Sequence, residues 1–345
     1  MRVLHLISTS VFSGAENVAC QIINMFREED NVEMYYVSVI GDNLKNLSDR
    51  NIKYIELKRF NKKNLKRIVD EYRPDIIHAH DIRASILASF FSNKARIISH
   101  IHNNHENMRK LCLKTFLYNL VSKKFESIIW VSKSALDSYY YKKNIQKKSI
   151  VLYNVISEND IIEKAKLDNN KYNYDIVFLG RLTYQKNPER LIEIAKQIAS
   201  NHNDFKMAII GDGDLKELLN KMIIENKLEQ NVFLLGFMNN PYKILQQSKI
   251  LILTSRFEGT PMVALEAMAL GVPIVSTYTD GMIDIIQEGK NGFLCRTNDD
   301  FVGNINKTIY NSKNLKILKK KTVEQSKRIN GIEKYKAEIA KIYKI

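Results

Sequence analysis

The chain has 345 residues, 45% of them hydrophobic and 26% charged, which suits two ordinary folded domains and excludes a disordered tail or a collagen-like repeat. Lys and Arg outnumber Asp and Glu by 53 to 38, a net +15 that calls for an anionic partner or a lysine-rich solvated surface. Cys20, Cys112 and Cys295 lie far apart with no CxxC pair, so neither a disulfide scaffold nor a zinc ribbon is expected and a reducing cytoplasm fits.

The opening residues, Met1 to Ser10, carry one basic residue and too short an apolar run for a signal peptide, and read instead as a first strand. No apolar run approaches the roughly 20 residues of a membrane span. Short β-branched runs then alternate with amphipathic helical stretches, the pattern of parallel α/β sheets. In the first half strands are predicted at Val3–Ser8, Val32–Ile40, Asp75–His80, Arg96–His102, Ser127–Val131 and Ser149–Tyr153, with helices such as Glu16–Arg27 and Arg109–Lys124 between them. The polar stretch Ser157–Asn173 reads as an inter-domain connection. Alternation restarts with strands at Asp175–Leu179, Met207–Ile210, Val232–Leu235, Ile250–Thr254 and Pro273–Ser276. Helices Pro188–Ala199 and Pro261–Leu270 each have proline at a suitable first position. The Lys-rich stretch Asn314–Ile345 reads as helical. Two doubly wound domains follow, at 1–170 and 171–320, with a terminal helix at 321–345. Ligands of such sheets bind beyond the carboxyl ends of the strands, which predicts a central cleft where two such domains face each other.

Charge is uneven: residues 51–150 carry a net +13 and 301–345 a net +9, while 1–50 and 151–300 are slightly acidic. A basic face suits an anionic membrane surface, a diphosphate-linked substrate or nucleic acid. Zinc-finger spacing, an aromatic RNA-binding signature and a helix-turn-helix pattern are all missing, so nucleic acid is not the expected partner.

The most informative segment runs from Ser255 to Ser276: a strand end, the tight loop Glu258-Gly-Thr-Pro261, and a helix stopped by Gly271-Val-Pro273. Thr260 is placed to cap this helix and Pro261 to start it. Backbone N–H groups at Gly259, Met262 and Val263 then make an anion site at the helix start. Pro261 to Glu266 spans about 7.5 Å, so Glu258 and Glu266 flank that site. Two carboxylates on either side of a phosphate site suit the hydroxyls of a nucleotide sugar. An ordinary amphipathic helix with a solvated Glu266 accounts for the helix but leaves the loop unexplained.

Two patterns suggest metals. Asp212-Gly-Asp214 spells a manganese-type Asp-x-Asp, but its place between a buried strand and a helix suits a turn and cap better. His78, His80, His100, His102 and His105 include pairs two apart, which share one face of a strand; a zinc site is geometrically open to them, but no cysteine or carboxylate completes an obvious set. Cleft-lining or structural histidines are the expectation, with no metal.

Glu258-x7-Glu266 followed by Ala-Met-Ala-x-Gly-x-Pro closely resembles the retaining GT-B glycosyltransferases of family 4, the group that includes bacterial capsular and exopolysaccharide enzymes, and the resemblance covers nearly the whole chain. Gly180-Arg181-Leu-Thr-Tyr-Gln-Lys186 resembles the family's Gly-Arg-x4-Lys segment, which implies that Arg181 and Lys186 hold the donor diphosphate. Ile210-Gly-Asp-Gly213 and Leu235-Gly-Phe237 stand where the family has strand-end turns, the second lining the nucleobase pocket. Phe12-Ser13-Gly14-Ala-Glu16 matches its first glycine loop, with Ser13 in place of a glycine. Asp280-Gly281-Met-Ile-Asp284 departs from the common Gly-Gly-x-x-Glu.

The resemblance implies a GT-B fold of two Rossmann-like domains and a retaining, metal-independent transfer of a hexose from a UDP-type nucleotide sugar. The acceptor would be a lipid-linked or free saccharide in polysaccharide biosynthesis, capsule included. It further implies Glu258, His102, Arg181 and Lys186 as catalytic residues, with Glu258 and His102 at the sugar and Glu266 at the ribose. Gly14, Gly180, Phe237, Gly259, Thr260, Met262 and Val263 would complete the donor site. No cofactor is implied. With the two basic blocks read as one positive surface, the expectation is a cytoplasmic enzyme, peripheral on the inner face of the cell membrane. The competing readings are a non-catalytic basic module binding membrane or nucleic acid, a nucleotide-sugar epimerase, or a glycan phosphorylase; the last lacks a cofactor-lysine motif.

Overall fold

The computed structural model of the chain describes residues 1–10, 12, 14–39, 41, 43–102 and 106–345. Ser13 and His105, both singled out from the sequence, lie outside the described residues. The chain divides into unit 1, Met1–Asn154 with Glu333–Ile345, and unit 2, Val155–Ile332.

Unit 1 alternates β1 (Arg2–Leu6), α1 (Gly14–Met25), β2 (Glu33–Val39), α2 (Asn43–Asp49), β3 (Tyr54–Leu57), α3 (Lys62–Tyr72), β4 (Ile76–Ala79), α4 (Ile82–Ala88), β5 (Arg96–Ile101), α5 (Leu113–Ser122), β6 (Ser127–Trp130), α6 (Lys133–Asp137), α7 (Lys142–Ile145) and β7 (Ser149–Val151). Unit 2 continues with α8 (Glu158–Lys166), β8 (Ile176–Leu179), α9 (Glu189–Ala199), β9 (Met207–Ile210), α10 (Lys216–Glu225), β10 (Val232–Gly236), α11 (Tyr242–Gln247), β11 (Ile250–Leu253), α12 (Met262–Ala269), β12 (Ile274–Thr277), α13 (Asp280–Ile285), β13 (Gly292–Cys295), α14 (Asn298–Ile309) and α15 (Ser312–Ile329). The final helix, α16 (Ile332–Tyr343), belongs to unit 1.

Every strand pairing in both sheets is parallel. The sheet of unit 1 runs β3-β2-β1-β4-β5-β6-β7 and that of unit 2 runs β10-β9-β8-β11-β12-β13. Counted within its own unit, each begins 3-2-1-4-5-6, the Rossmann order whose direction reverses between its first and fourth strands. The switch points are therefore β1/β4 and β8/β11. Strands such as Met207–Ile210 and Ile250–Leu253 are apolar throughout because helices cover both faces. In unit 2, Ile176, Phe178, Ile209 and Ile252 pack with α9 and α14, while Val177, Ala208, Ile210 and Leu251 pack with α11 and α12. The strand order makes each unit a doubly wound, Rossmann-like α/β domain, the two-domain arrangement that the resemblance implies.

Several boundaries differ from those read from sequence. β3 and β13 were not predicted; both are four-residue edge strands whose exposed or glycine-bearing segments leave little alternation to see. Ser157–Asn173 is not simply a linker: Ser157 caps α8, whose Ile161 and Ala165 are buried in unit 2. The division consequently falls at Asn154/Val155 rather than after residue 170. The Lys-rich tail is two helices, and residues 321–332 stay with unit 2 while α16 packs in unit 1. There Tyr343 is fully buried, its hydroxyl 2.6 Å from His78 Nδ1 and its carbonyl accepting from Arg96 at 2.7 Å.

Candidate active site

Chemically capable side chains gather at both switch points. In unit 2 the chain leaves β8 through Gly180–Asn187 and leaves β11 through Thr254–Pro261, and hydrogen bonds stitch these loops together. Thr254 Oγ1 donates to the Lys186 and Asn187 carbonyls, both at 3.0 Å. The Arg256 N–H donates to the Gln185 carbonyl at 2.8 Å, and Gln185 Nε2 to the Phe257 carbonyl at 3.2 Å. The Arg256 guanidinium lies 4.3 Å from the Tyr184 ring centroid. Asn187 turns the loop into α9 at a left-handed φ of 50°.

This stitching sets Lys186 against Glu258. The ammonium pairs with Oε1 of the carboxylate, which also accepts from Ser255 Oγ at 2.6 Å. The side chains are 15% and 6% exposed, so each charge depends on the other for its solvation. Gly180 packs beside them, where an added Cβ would stand 3.3 Å from the Phe178 ring and 3.7 Å from Lys186 Cε. Arg181 is exposed and has no ion-pair partner among the described residues, which leaves its guanidinium open to an anion.

α12 starts one residue later than predicted. Pro261, at φ −66° and ψ 124°, takes the cap position in place of Thr260 and supplies no side-chain cap. Proline's fixed φ suits this extended cap as well as the first helical position. The N–H groups of Met262 and Val263 thus have no acceptor inside the helix, while that of Ala264 returns to the Pro261 carbonyl at 3.1 Å. Thr260 is buried, and Glu266 is half-buried with the Tyr242 hydroxyl donating to it at 3.3 Å. Gly281, in the first turn of α13, presses on this loop: a Cβ there would fall 1.1 Å from the Gly259 carbonyl oxygen. Glycine at 281 is thereby explained in a way no spacing rule supplies.

The turns after β9 and β10 are joined by the Gly211 N–H donating to the Gly236 carbonyl at 2.8 Å. Gly211 adopts φ +146° and lies so close to β8's exit that a Cβ would meet the Gly180 oxygen at 1.9 Å. Phe237, which follows, is 70% exposed. Asp212 and Asp214 are exposed acids. The Asp212 carboxylate accepts from the Gly213 N–H at 2.8 Å, which together with Lys216 holds its pKa below the usual value. That is a turn, and neither aspartate joins a metal-competent cluster among the described residues.

In unit 1 the switch point carries five buried histidines. His5 on β1 is in register with His78 on β4, and the spacing of His78/His80 and His100/His102 puts all of them on one face. His5, which the sequence reading passed over, obeys the same alternation as its neighbours. Two hydrogen-bonded chains result. One links His102 Nε2 to His80 Nδ1 at 3.1 Å and His80 Nε2 to His5 Nδ1 at 2.9 Å. The other runs from Tyr343 Oη through His78 to His100 Nδ1, the last step 3.2 Å. Among the described residues His102 Nδ1, His5 Nε2 and His100 Nε2, the chain ends, have no partner. Burial pushes every ring's pKa down, to about 3 for His5 and His102 and well below 6.5 for the others, so all are neutral near pH 7. A neutral ring holds one proton, so the protons of His102, His80 and His5 shift together: His102 Nδ1 is a donor in one arrangement and an acceptor in the other.

The trios His5/His78/His80 and His80/His100/His102 each bring one nitrogen per ring within 4.8 Å, close enough to hold one ion. Most of these nitrogens are instead engaged with one another. Gly14 opens α1 beyond β1 and is exposed, with open space where a Cβ would stand. Glu16 is buried and accepts from Thr9 at 2.6 Å.

Comparison with known proteins agrees with this architecture. The model for Glycosyltransferase Family 4 matches residues 13–159, and that for Glycosyl transferases group 1 matches residues 159–325. The chain is similar to the Campylobacter jejuni N-acetylgalactosamine-N,N'-diacetylbacillosaminyl-diphospho-undecaprenol 4-alpha-N-acetylgalactosaminyltransferase, 30% identical over 63% of this chain and 60% of that enzyme. It is also similar to the lipopolysaccharide 1,6-galactosyltransferase of Salmonella typhimurium, 27% identical over 88% of each. The crystal structure of Anabaena Alr3699/HepE in complex with UDP-glucose matches over 100% of this chain and 99% of that one, with a TM-score of 0.87 at 18% identity. The two family models together span residues 13–325, and the chain has the two-domain GT-B fold.

Proposed function

We propose that the chain transfers a hexose-type sugar, with retention of configuration, from a UDP-linked donor to a saccharide acceptor, lipid-linked or free, in assembly of a capsule or related polysaccharide. The observation that carries this reading is the buried Lys186–Glu258 pair beside the uncapped first turn of α12. In it, Arg181, Lys186 and the Met262 and Val263 N–H groups receive the diphosphate and stabilise the charge that develops as it leaves, which is preorganised electrostatic catalysis. These groups supply the countercharge, so the chemistry needs no divalent ion and no cofactor.

Glu258 is already bonded to Lys186 and Ser255, which suits a carboxylate that orients the sugar rather than one that abstracts a proton. The acceptor's proton passes to the departing phosphate oxygen, on the face that the incoming hydroxyl shares. Glu266 takes the ribose hydroxyls and Phe237 flanks the base. His102, neutral and with no partner for Nδ1 among the described residues, offers a hydrogen bond to a sugar hydroxyl. No helix among the described residues is long and apolar enough to cross a membrane. We place the enzyme in the cytoplasm, docked at the anionic inner face of the cell membrane.

The test is nucleotide release from a panel of nucleotide sugars with membrane extract as acceptor, and the anomeric configuration of the product by NMR. Glu258→Ala is expected to lose at least about 100-fold in turnover with an unchanged circular dichroism spectrum, the scale of removing a group that stabilises the transition state. Wild-type turnover in that variant, or no release from any donor, overturns the proposal.

A further inference from the structure

Helix α5 wears its apolar side outward. Leu113, Phe116, Leu117 and Leu120 recur at i, i+3, i+4 and i+7, the stripe that ordinarily faces a core. Here they are 37–73% exposed, and Leu111 just ahead of the helix is 62% exposed. The side turned inward is Thr115, Tyr118 and Ser122. It is held there by polar bonds: the Tyr118 hydroxyl meets Ser99 Oγ at 2.7 Å, and Thr115 Oγ1 donates to the Lys110 and Asn107 carbonyls at 2.8 and 3.0 Å. The helix cannot roll its leucines under without breaking these bonds. Contiguous apolar surface left in water marks an interaction site.

Charge identifies the occupant. Residues 109–124 contain five basic side chains and no acidic one. Lys110, Lys114, Lys123 and Lys124 are exposed around the stripe. α7 is tied to α5 by Asn144 Nδ2 donating to Asn119 at 3.1 Å, and adds the exposed Lys143. The nearest acids downstream are already paired, Glu126 with Arg96 and Lys344, and Asp137 with Lys142. An apolar stripe rimmed by lysines fits the interface of an anionic bilayer, with leucines at the acyl boundary and ammonium groups among the headgroups. A second copy would bring two like-charged rims together across a two-fold axis.

We infer that α5 is the element by which the chain lies on an anionic membrane surface. This deepens, and rests on, the membrane-surface part of the proposed function.

The experiment is sedimentation of the full chain with vesicles of phosphatidylcholine, with and without phosphatidylglycerol, across a salt series. Wild type is expected on the anionic vesicles, with binding that weakens as salt rises. Leu113→Ser, Phe116→Ser and Leu120→Ser together should weaken it about tenfold or more at every salt concentration. Lys114→Gln, Lys123→Gln and Lys124→Gln together should flatten the salt dependence. All six positions are exposed, so UDP binding and the Trp130 emission spectrum should match wild type and certify the fold. Undiminished vesicle binding by the serine variant overturns the assignment to α5 while leaving membrane docking standing. No binding by wild type, or a dimer that the serine variant abolishes, overturns the membrane itself as the occupant, and intact nucleotide release in either case separates that failure from failure of the enzymatic reading.

Discussion

Acidification from about pH 7.5 to about pH 5.5 should weaken unit 1 far more than an ordinary domain of its size, because its switch point is built of histidines that stay neutral when folded. Once unfolded, each of the five regains an ordinary pKa near 6.5, whereas in the fold burial holds it well below that. A depressed folded pKa gives stability that is complete above about 6.5 and is lost steadily as the pH falls toward the folded value. Over those two pH units each histidine forfeits about 1.4 kcal/mol, and five together about 7 kcal/mol. A domain's whole stability is about 5–15 kcal/mol, so unit 1 should come close to unfolding at the acid end. The chain's single tryptophan, Trp130, is fully buried on β6 and reports on this unit. Urea titrations followed by its emission should show the midpoint falling steeply below pH 6.5, and His5→Gln should reduce the loss by about one histidine's share. A total loss smaller than about 1.4 kcal/mol would refute the claim that the rings are held neutral together.

Two further outcomes are expected. Gly281→Ala must displace the Gly259 carbonyl, which a Cβ would approach to 1.1 Å; donor binding, followed by UDP titration, should weaken at least about tenfold, the scale on which a misplaced binding loop costs affinity. UDP binding like that of wild type would mean the loop tolerates the shift. Asp212→Asn with Asp214→Asn should leave nucleotide release unchanged, and so should a chelator, because Asp212 serves a turn; strict manganese dependence would restore a metal role to that pair.

Sequence patterns located the features that repeat or that hold a fixed spacing. The apolar runs of β9 and β11 are buried on both faces and stand out at once, and the two-residue spacing of His78/His80 and His100/His102 predicted a shared face. β3 and β13 escaped because an edge strand of four residues need not alternate. α8 escaped because its polar residues run on into the Asn-rich stretch after it, and only Ile161, Ile162 and Ala165 tell it from a linker. The Glu258 loop could be marked as chemical but not explained, since Lys186, which pairs with Glu258, and Gly281, which packs on Gly259, come from other segments. Periodicity marked Arg109–Lys124 as a helix, the one that carries the apolar stripe of α5. It could not tell which way the stripe faces, because that is decided by Tyr118 and Thr115 bonding inward.

The return of α16 has a consequence for synthesis. Unit 1 is interrupted by the 178 residues from Val155 to Ile332, so the domain begun first is the domain finished last. At about 5–20 residues per second the ribosome takes about 9–36 s to cross that interval. Until α16 emerges, His78 has no Tyr343 hydroxyl to meet and Arg96 no Tyr343 carbonyl. The nascent chain therefore carries an open histidine face while its second unit is already free to fold.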